Sequence, residues 1–222
     1  MPEVNSLRIH EKALLLILKD QEGTPAVLDH RRVLAGAILS ELFLEGRLRA
    51  KGKGRAVYVA DDSPTGDDIL DDCVRRIASE SVQYPTMRWI GAFSAIADLM
   101  HRVARQLCRR GILREDEAKV AFFFTRKVYP EVDPEPEAAL VAELEEAIFT
   151  DMDEIAPHTA ALVALGNATG LLGVTFPRRR LWARRERLHA ISRGEVCAAF
   201  AEAQDAMAAA YFLVVMPRAV IF

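Results

Sequence analysis

The sequence predicts a mainly α-helical fold: a single globular domain with two or more β-hairpins. Three observations carry this. Apolar residues recur at helical period through most of the chain, as in Val33–Leu44, Trp89–Arg110 and Ala138–Phe149. Two polar segments, Lys51–Arg55 and Arg114–Lys119, are each flanked by short β-prone runs, which is a hairpin pattern. No internal repeat and no linker long enough to separate two units interrupts the chain. With 222 residues, 51% of them hydrophobic, a sizeable core can be buried without disulfide staples.

Taken in order, Met1–His10 is polar and mixed, and the apolar run Ala13–Leu18 is too short for an export signal. The domain is placed over residues 8–215, with residues 1–7 and 216–222 as tails. Val33–Leu44 is apolar on every side except at Ser40 and Glu41, so its helix is expected at the centre. Glu45-Gly46-Arg47 turns the chain into the first hairpin, Leu48–Ala50 against Ala56–Ala60. The loop from Asp62 to Asp68 runs into a helix over Ile69–Ala78, with Thr65 or Asp67 placed to cap it.

Trp89–Arg110 is expected as one helical stretch closing at Gly111. In the second hairpin, Ile112–Leu113 is the first strand and Val120–Thr125 the second. That register puts Phe122 and Phe124 on one face and Phe123 on the other. Val132–Pro136 is a connector, and helices are expected over Ala138–Phe149, Pro157–Leu172, Arg180–Ile191 and Glu195–Val215. The uncharged stretches Ala160–Phe176 and Ala206–Met216 fall short of the roughly 20 residues a spanning helix needs, and are expected as buried helices.

Composition excludes several functions. A net charge of −3 supplies no basic field for nucleic acid. Cys73, Cys108 and Cys197 lack paired spacing and suit a reducing, cytoplasmic compartment. No phosphate-binding glycine loop, metalloprotease helix or nucleophile elbow is present, so no catalytic residues are assigned and no enzyme is expected. The five histidines lack metal-ligand spacing, and Asp61, Asp62, Asp67, Asp68, Asp71 and Asp72 lack the glycine turn of a calcium loop. No metal or cofactor is expected. Charge is segregated: Glu131–Glu154 holds ten acids and no Lys or Arg, while Pro177–Arg193 holds seven arginines and one acid. These read either as two helix faces that pair with each other or as an anion-binding surface.

The ordered motifs resemble the Golgi phosphoprotein 3 family. They are Lys19-Asp20-Gln21-Glu22-Gly23, Gly36–Leu42, Glu45-Gly46-Arg47-Leu48 and, most diagnostic, Ser63-Pro64-Thr65-Gly66-Asp67-Asp68-Ile69-Leu70-Asp71. Trp89-Ile90, Gly111-Ile112-Leu113 and Tyr129-Pro130 follow in the family's order. The resemblance covers roughly residues 8–212 and extends to bacterial-type members. It implies a cytosolic protein peripheral at the cytoplasmic face of a membrane, binding phosphatidylinositol 4-phosphate through a tryptophan and several arginines. It also implies oligomerisation and membrane insertion through a hydrophobic hairpin, and a link to tails of Golgi enzymes.

The family's lipid contacts are replaced here. No aromatic stands in Pro25–Leu28, and Ala35, Ala97 and Met100 occupy the expected arginine positions. Arg31, Arg32, Arg102 and Arg105 stand close by and become the candidate head-group residues, since paired guanidinium donors fit phosphate oxygens. Val120, Phe122, Phe123 and Phe124 are the candidate oligomer or membrane hairpin. The expected function is non-enzymatic binding of an anionic phospholipid at a membrane surface. The expected assembly is a homo-oligomer through the 114–126 hairpin, with an unidentified protein partner and no nucleic acid. The alternative is a soluble protein–protein adaptor that kept the fold and lost lipid recognition.

Overall fold

A computed structural model describes residues 7–19, 21–52, 55–121 and 124–197, excluding the side chains of Val120, Ala121 and Phe124. Among the described residues the elements are ten helices and two antiparallel hairpins, so the mainly helical expectation holds. The predicted helix over Glu195–Val215 lies almost wholly outside the described residues, as do most of both tails.

The centre is α2 (His30–Leu44), whose residues Val33–Phe43 are all buried. Around it pack α1 (Ile9–Ile17), α4 (Thr86–Ser94), α5 (Leu99–Arg109) and α7 (Pro157–Thr169). An all-round apolar sequence demands all-round neighbours, which is why the helix without a polar face sits in the middle. α1 begins earlier than its apolar run suggests. Glu11 reaches back to the Arg8 backbone N–H at 3.0 Å, and the charged trio His10-Glu11-Lys12 is buried with the rest of the helix.

α1 ends in a turn that fixes the chain's path to α2. Gly23 has φ +59°, and a Cβ there would stand 2.3 Å from the Pro130 nitrogen and the Tyr129 carbonyl carbon. The Tyr129 N–H donates to the Gly23 carbonyl at 3.0 Å, so only a glycine lets the two backbones meet.

The first hairpin, β1 (Leu48–Lys51) and β2 (Ala56–Val59), pairs Leu48 with Val59 and Lys51 with Ala56, as expected. α3 (Asp68–Ala78) follows, packed on β2. Trp89–Arg110 is not one helix. α4 stops at Ser94, and Asp98 takes a left-handed φ of +55° before α5 starts, so the apolar period runs on across a real break. Aspartate tolerates that backbone region better than most residues.

The second hairpin has a different register from the predicted one. β3 is Asp116–Ala121 and β4 is Phe124–Val128, with Asp116 opposite Val128 and Lys119 opposite Thr125. The polar stretch expected as the turn is therefore strand, because exposed positions on both faces tolerate charge. The chain reverses between Ala121 and Phe124 instead. Phe122 and Phe123 lie outside the described residues, as does the side chain of Phe124, so their predicted facing is not described.

α6 (Glu135–Phe149) packs on α7, which ends at Gly170 with φ +77°. The predicted Pro157–Leu172 helix is thus α7 followed by the short α8 (Leu172–Thr175). The predicted Arg180–Ile191 helix is two, α9 (Arg178–Ala183) and α10 (Arg185–Ser192). Cys73, Cys108 and Cys197 are all free thiols. No helix among the described residues is long and apolar enough to cross a membrane.

Candidate functional site

The four arginines marked by sequence fall on two helices. Arg31 and Arg32 are in the first turn of α2, where Arg31 is exposed and Arg32 lies 3.4 Å from Asp29. The residue before that turn, Leu28, is fully exposed at 104%. Arg102 and Arg105 are on α5 and point to different neighbours. Arg102 bridges to α3, 3.0 Å from Asp72 and 3.2 Å from Asp68. Arg105 is exposed, and its charge acts on Glu115, His101 and Tyr129. No hydrogen bond or ion pair among the described residues joins the α2 pair to the α5 pair. Of the replaced family positions, Ala35 is fully buried, Met100 packs on the core and Ala97 is exposed in the α4–α5 break.

Five of the six carboxylates before and within α3 have a defined use. Asp67 caps the helix, its Oδ1 accepting the N–H groups of Ile69 and Leu70 at 2.8 and 3.1 Å. Asp71 accepts both the backbone N–H and the hydroxyl of Thr65, and Asp61 pairs with Arg47 at 2.5 Å. Asp68 and Asp72 hold Arg102. Among the described residues no cluster suited to a metal ion is formed.

Asp67 also does something the sequence does not announce. Its second oxygen, Oδ2, accepts from the Gln106 amide of α5 at 3.0 Å and lies 3.3 Å from Nε2 of His10, a fully buried histidine on α1. Burial alone would lower the His10 pKa. The Asp67 hydrogen bond and the charges of Asp67, Glu11 and Glu41 outweigh it and hold the pKa above the ordinary 6.5. Burial would raise the Asp67 pKa, but His10, the Leu70 N–H and Gln106 hold it well below the usual carboxylate range.

Asp67, with Gln106, lines one wall of a cleft of about 660 Å³ between α1, α2, α5 and the edge of α6 and α7. Its charges answer one another. Arg8 contacts Glu45, lies 3.8 Å from Glu41 and donates to the Thr65 carbonyl. Lys12 meets Glu143 at 3.3 Å, and Arg110 meets the buried Glu11 at 3.0 Å. Glu41 accepts the Ile9 N–H at 2.6 Å and lies 3.7 Å from His158. Burial would raise the Glu41 pKa, but His158, the Ile9 N–H and His10 together lower it. Internal pairing on this scale makes the cleft a joint between helices.

The family model described as Golgi phosphoprotein 3 (GPP34) matches residues 9–210. The chain belongs to that family. The matched span runs from the first residue of α1 through all ten helices and both hairpins. Among curated relatives, Vacuolar protein sorting-associated protein 74 of Schizosaccharomyces pombe is 28% identical over 149 residues, which is 57% of this chain. Those residues span 44% of that relative, so less than half of its length is represented here.

In this Golgi phosphoprotein 3 family member, the segregated charges of the last third also find their explanation. Arg180 of α9 meets Glu145 of α6 at 2.7 Å and lies over the Phe149 ring. Arg184 donates to the carbonyls of Ile148 and Thr150 and pairs with Asp151, while Arg187 donates to the carbonyls of Ala147 and Met152. α6 has no basic residue in its own last turn, and these arginines satisfy its open carbonyls from outside. The pairing reading of the two charge runs holds for Arg180 and Arg184, while Arg187 reaches backbone carbonyls of the acidic segment.

Sequence reasoning missed the cleft. Its signal was present in His10-Glu11-Lys12, three polar or charged residues inside a helix that is otherwise apolar, and in Glu41, one of two polar residues between Val33 and Leu44 of the central helix. Buried charges in such runs need partners, and that requirement was readable even though the partners were not.

Proposed function

We propose that this protein binds an anionic phospholipid head group of the phosphatidylinositol 4-phosphate kind, without enzymatic activity, peripherally at the cytoplasmic face of a membrane. The observation that carries the reading is the start of α2, where a wholly exposed Leu28 is followed within a turn by His30, Arg31 and Arg32. An exposed leucine beside cations is poorly suited to water and well suited to a bilayer surface carrying negative charge. Family membership supports the same reading. The basic residues proposed for the head group are Arg31, Arg32, Arg102 and Arg105. Arg105 is the freer of the α5 pair, because Arg102 reaches a phosphate only by releasing Asp72.

The proposal includes self-association through the 114–126 hairpin, whose Val120 and Phe122–Phe124 supply the apolar material, and an unidentified protein partner. It also takes residues 8–215 as one domain.

Co-sedimentation with vesicles containing phosphatidylinositol 4-phosphate, phosphatidylserine or phosphatidylcholine alone tests the reading. Binding to the first two, weakened by salt and lost in Arg31→Glu/Arg105→Glu, is the expected result. Binding that ignores salt and this double change defeats the arginine patch, and no binding to any vesicle leaves an adaptor of the same fold. Sedimentation velocity of the wild type checks the hairpin: a monomer at high concentration removes self-association.

A further inference from the structure

α9 buries none of its six residues. At its end Trp182 is 71% exposed, whereas the other tryptophan, Trp89, is buried between Tyr84 and Phe93. Tryptophan is rarely left in water to this extent, and its ring with a polar N–H is favoured at the boundary between water and lipid.

The arginines around Trp182 divide into two sets. Arg180, Arg184 and Arg187 are committed to α6, as described above. Arg178, Arg179 and Arg185 are exposed. Among the described residues Arg178 and Arg179 have no ion pair, and Arg185 has only its neighbour Glu186 at 3.3 Å. Arg185 also lies over the Trp182 ring, 5.3 Å from its centroid. Between Trp182, Arg178, Arg185 and His189 runs a shallow groove of about 280 Å³, floored by Leu181 and Leu188. Glu186 is the only acid from Pro177 to Arg193, so the corner presents cations around an apolar ring.

We propose that the corner where α9 meets α10 is a membrane contact, in which Trp182 enters the interfacial layer of an anionic bilayer while Arg178, Arg179 and Arg185 engage lipid phosphates. The three committed arginines make the corner rigid, since they tie it to α6. Arg178, Arg179 and Arg185 stay exposed on that base. Each arginine near an anionic surface strengthens association roughly fivefold, and a guanidinium fork matches phosphate oxygens. The inference rests on the reading of this protein as membrane-binding, but its residues are distinct from the α2 and α5 arginines.

Trp182 is its own reporter. The difference in emission between the wild type and Trp182→Phe isolates its signal in the full chain. On phosphatidylcholine vesicles containing phosphatidylserine, that signal should move to the blue and be quenched by brominated acyl chains. Arg178→Glu/Arg179→Glu/Arg185→Glu should bind these vesicles at least tenfold more weakly, with an unchanged melting temperature. A wild type that sediments with the vesicles while its Trp182 signal stays unmoved overturns the corner and leaves the proposed function standing. A wild type that sediments with no vesicle overturns both. A shift produced by soluble polyglutamate, with no quenching by brominated lipid, assigns the corner to an acidic protein instead and overturns the membrane contact.

Discussion

Two arginine-bearing regions of this molecule use the same side chain in opposite ways. In the cleft beside α1, the arginines Arg8 and Arg110 meet carboxylates from other elements, and every neighbouring buried charge has an answering group. At the α9–α10 corner, three arginines fasten a helix end and three face outward. Local arginine density is higher at the corner, yet the charges most tightly built into the fold are in the cleft. The difference teaches that an arginine's role follows from what its guanidinium can reach, and a run of them can contain both structural and free members.

The largest expected effect separates a joint from a simple helix cap. Asp67→Ala removes the cap, the Gln106 bond and the partner of a buried histidine together. Breaking a buried pair costs about 3–5 kcal/mol, against about 1 kcal/mol for a cap alone. Urea unfolding should therefore show a loss of about 3 kcal/mol or more, and a loss near 1 kcal/mol would reduce the cleft to local capping.

A smaller effect should appear with pH, and it has a sign on each side. Asp67 has a lowered pKa, so its contribution is complete above its ordinary 3.8 and fades as acid takes the pH down through the folded value. His10 has a raised pKa, so its contribution is complete below 6.5 and fades as the pH climbs through its folded value. The melting temperature should peak between about pH 4 and 6.5 and fall on both sides. In Asp67→Ala the alkaline fall should flatten, because the main cause of the raised His10 pKa is gone. An unchanged alkaline limb in that variant would detach His10 from Asp67.

The smallest effect lies within the corner itself. Arg184→Ala should cost about 1–2 kcal/mol, the worth of a charged donor on a helix end. Arg179→Ala should stay within about 0.5 kcal/mol, as exposed substitutions without partners do. Equal losses for the two would erase the distinction between committed and free arginines.

Much of the fold was legible because local chemistry decided it. The central position of Val33–Leu44, the first hairpin and the Asp67 cap each depend on residues within a few positions of one another. What escaped depended on distant partners or on backbone choices that leave no pattern. The second oxygen of Asp67 is used by Gln106, 39 residues away, so no local reading could assign it. The α4–α5 break hinges on one left-handed aspartate inside a continuing apolar period. The second hairpin was misregistered because β3 carries Asp116, Glu117 and Lys119 in solvent, where charge does not argue against a strand. The candidate arginines were visible as residues, but the diversion of Arg102 to Asp68 and Asp72 followed only from the packing of α5 on α3.

The external capping of α6 also has a consequence in time. Its last carbonyls wait for Arg184 and Arg187, which follow Ile148 and Ala147 by 36 and 40 residues. A chain growing from the ribosome therefore completes α6 well before it makes the groups that hold its end. Through that interval the carbonyls of Ala147 and Ile148 are answered by water alone, and Glu145 and Asp151 wait for the counter-charges of Arg180 and Arg184. The last third thus works as a clasp that shuts late, and a chain stopped before Arg184 would keep every residue of α6 while leaving its end unfastened.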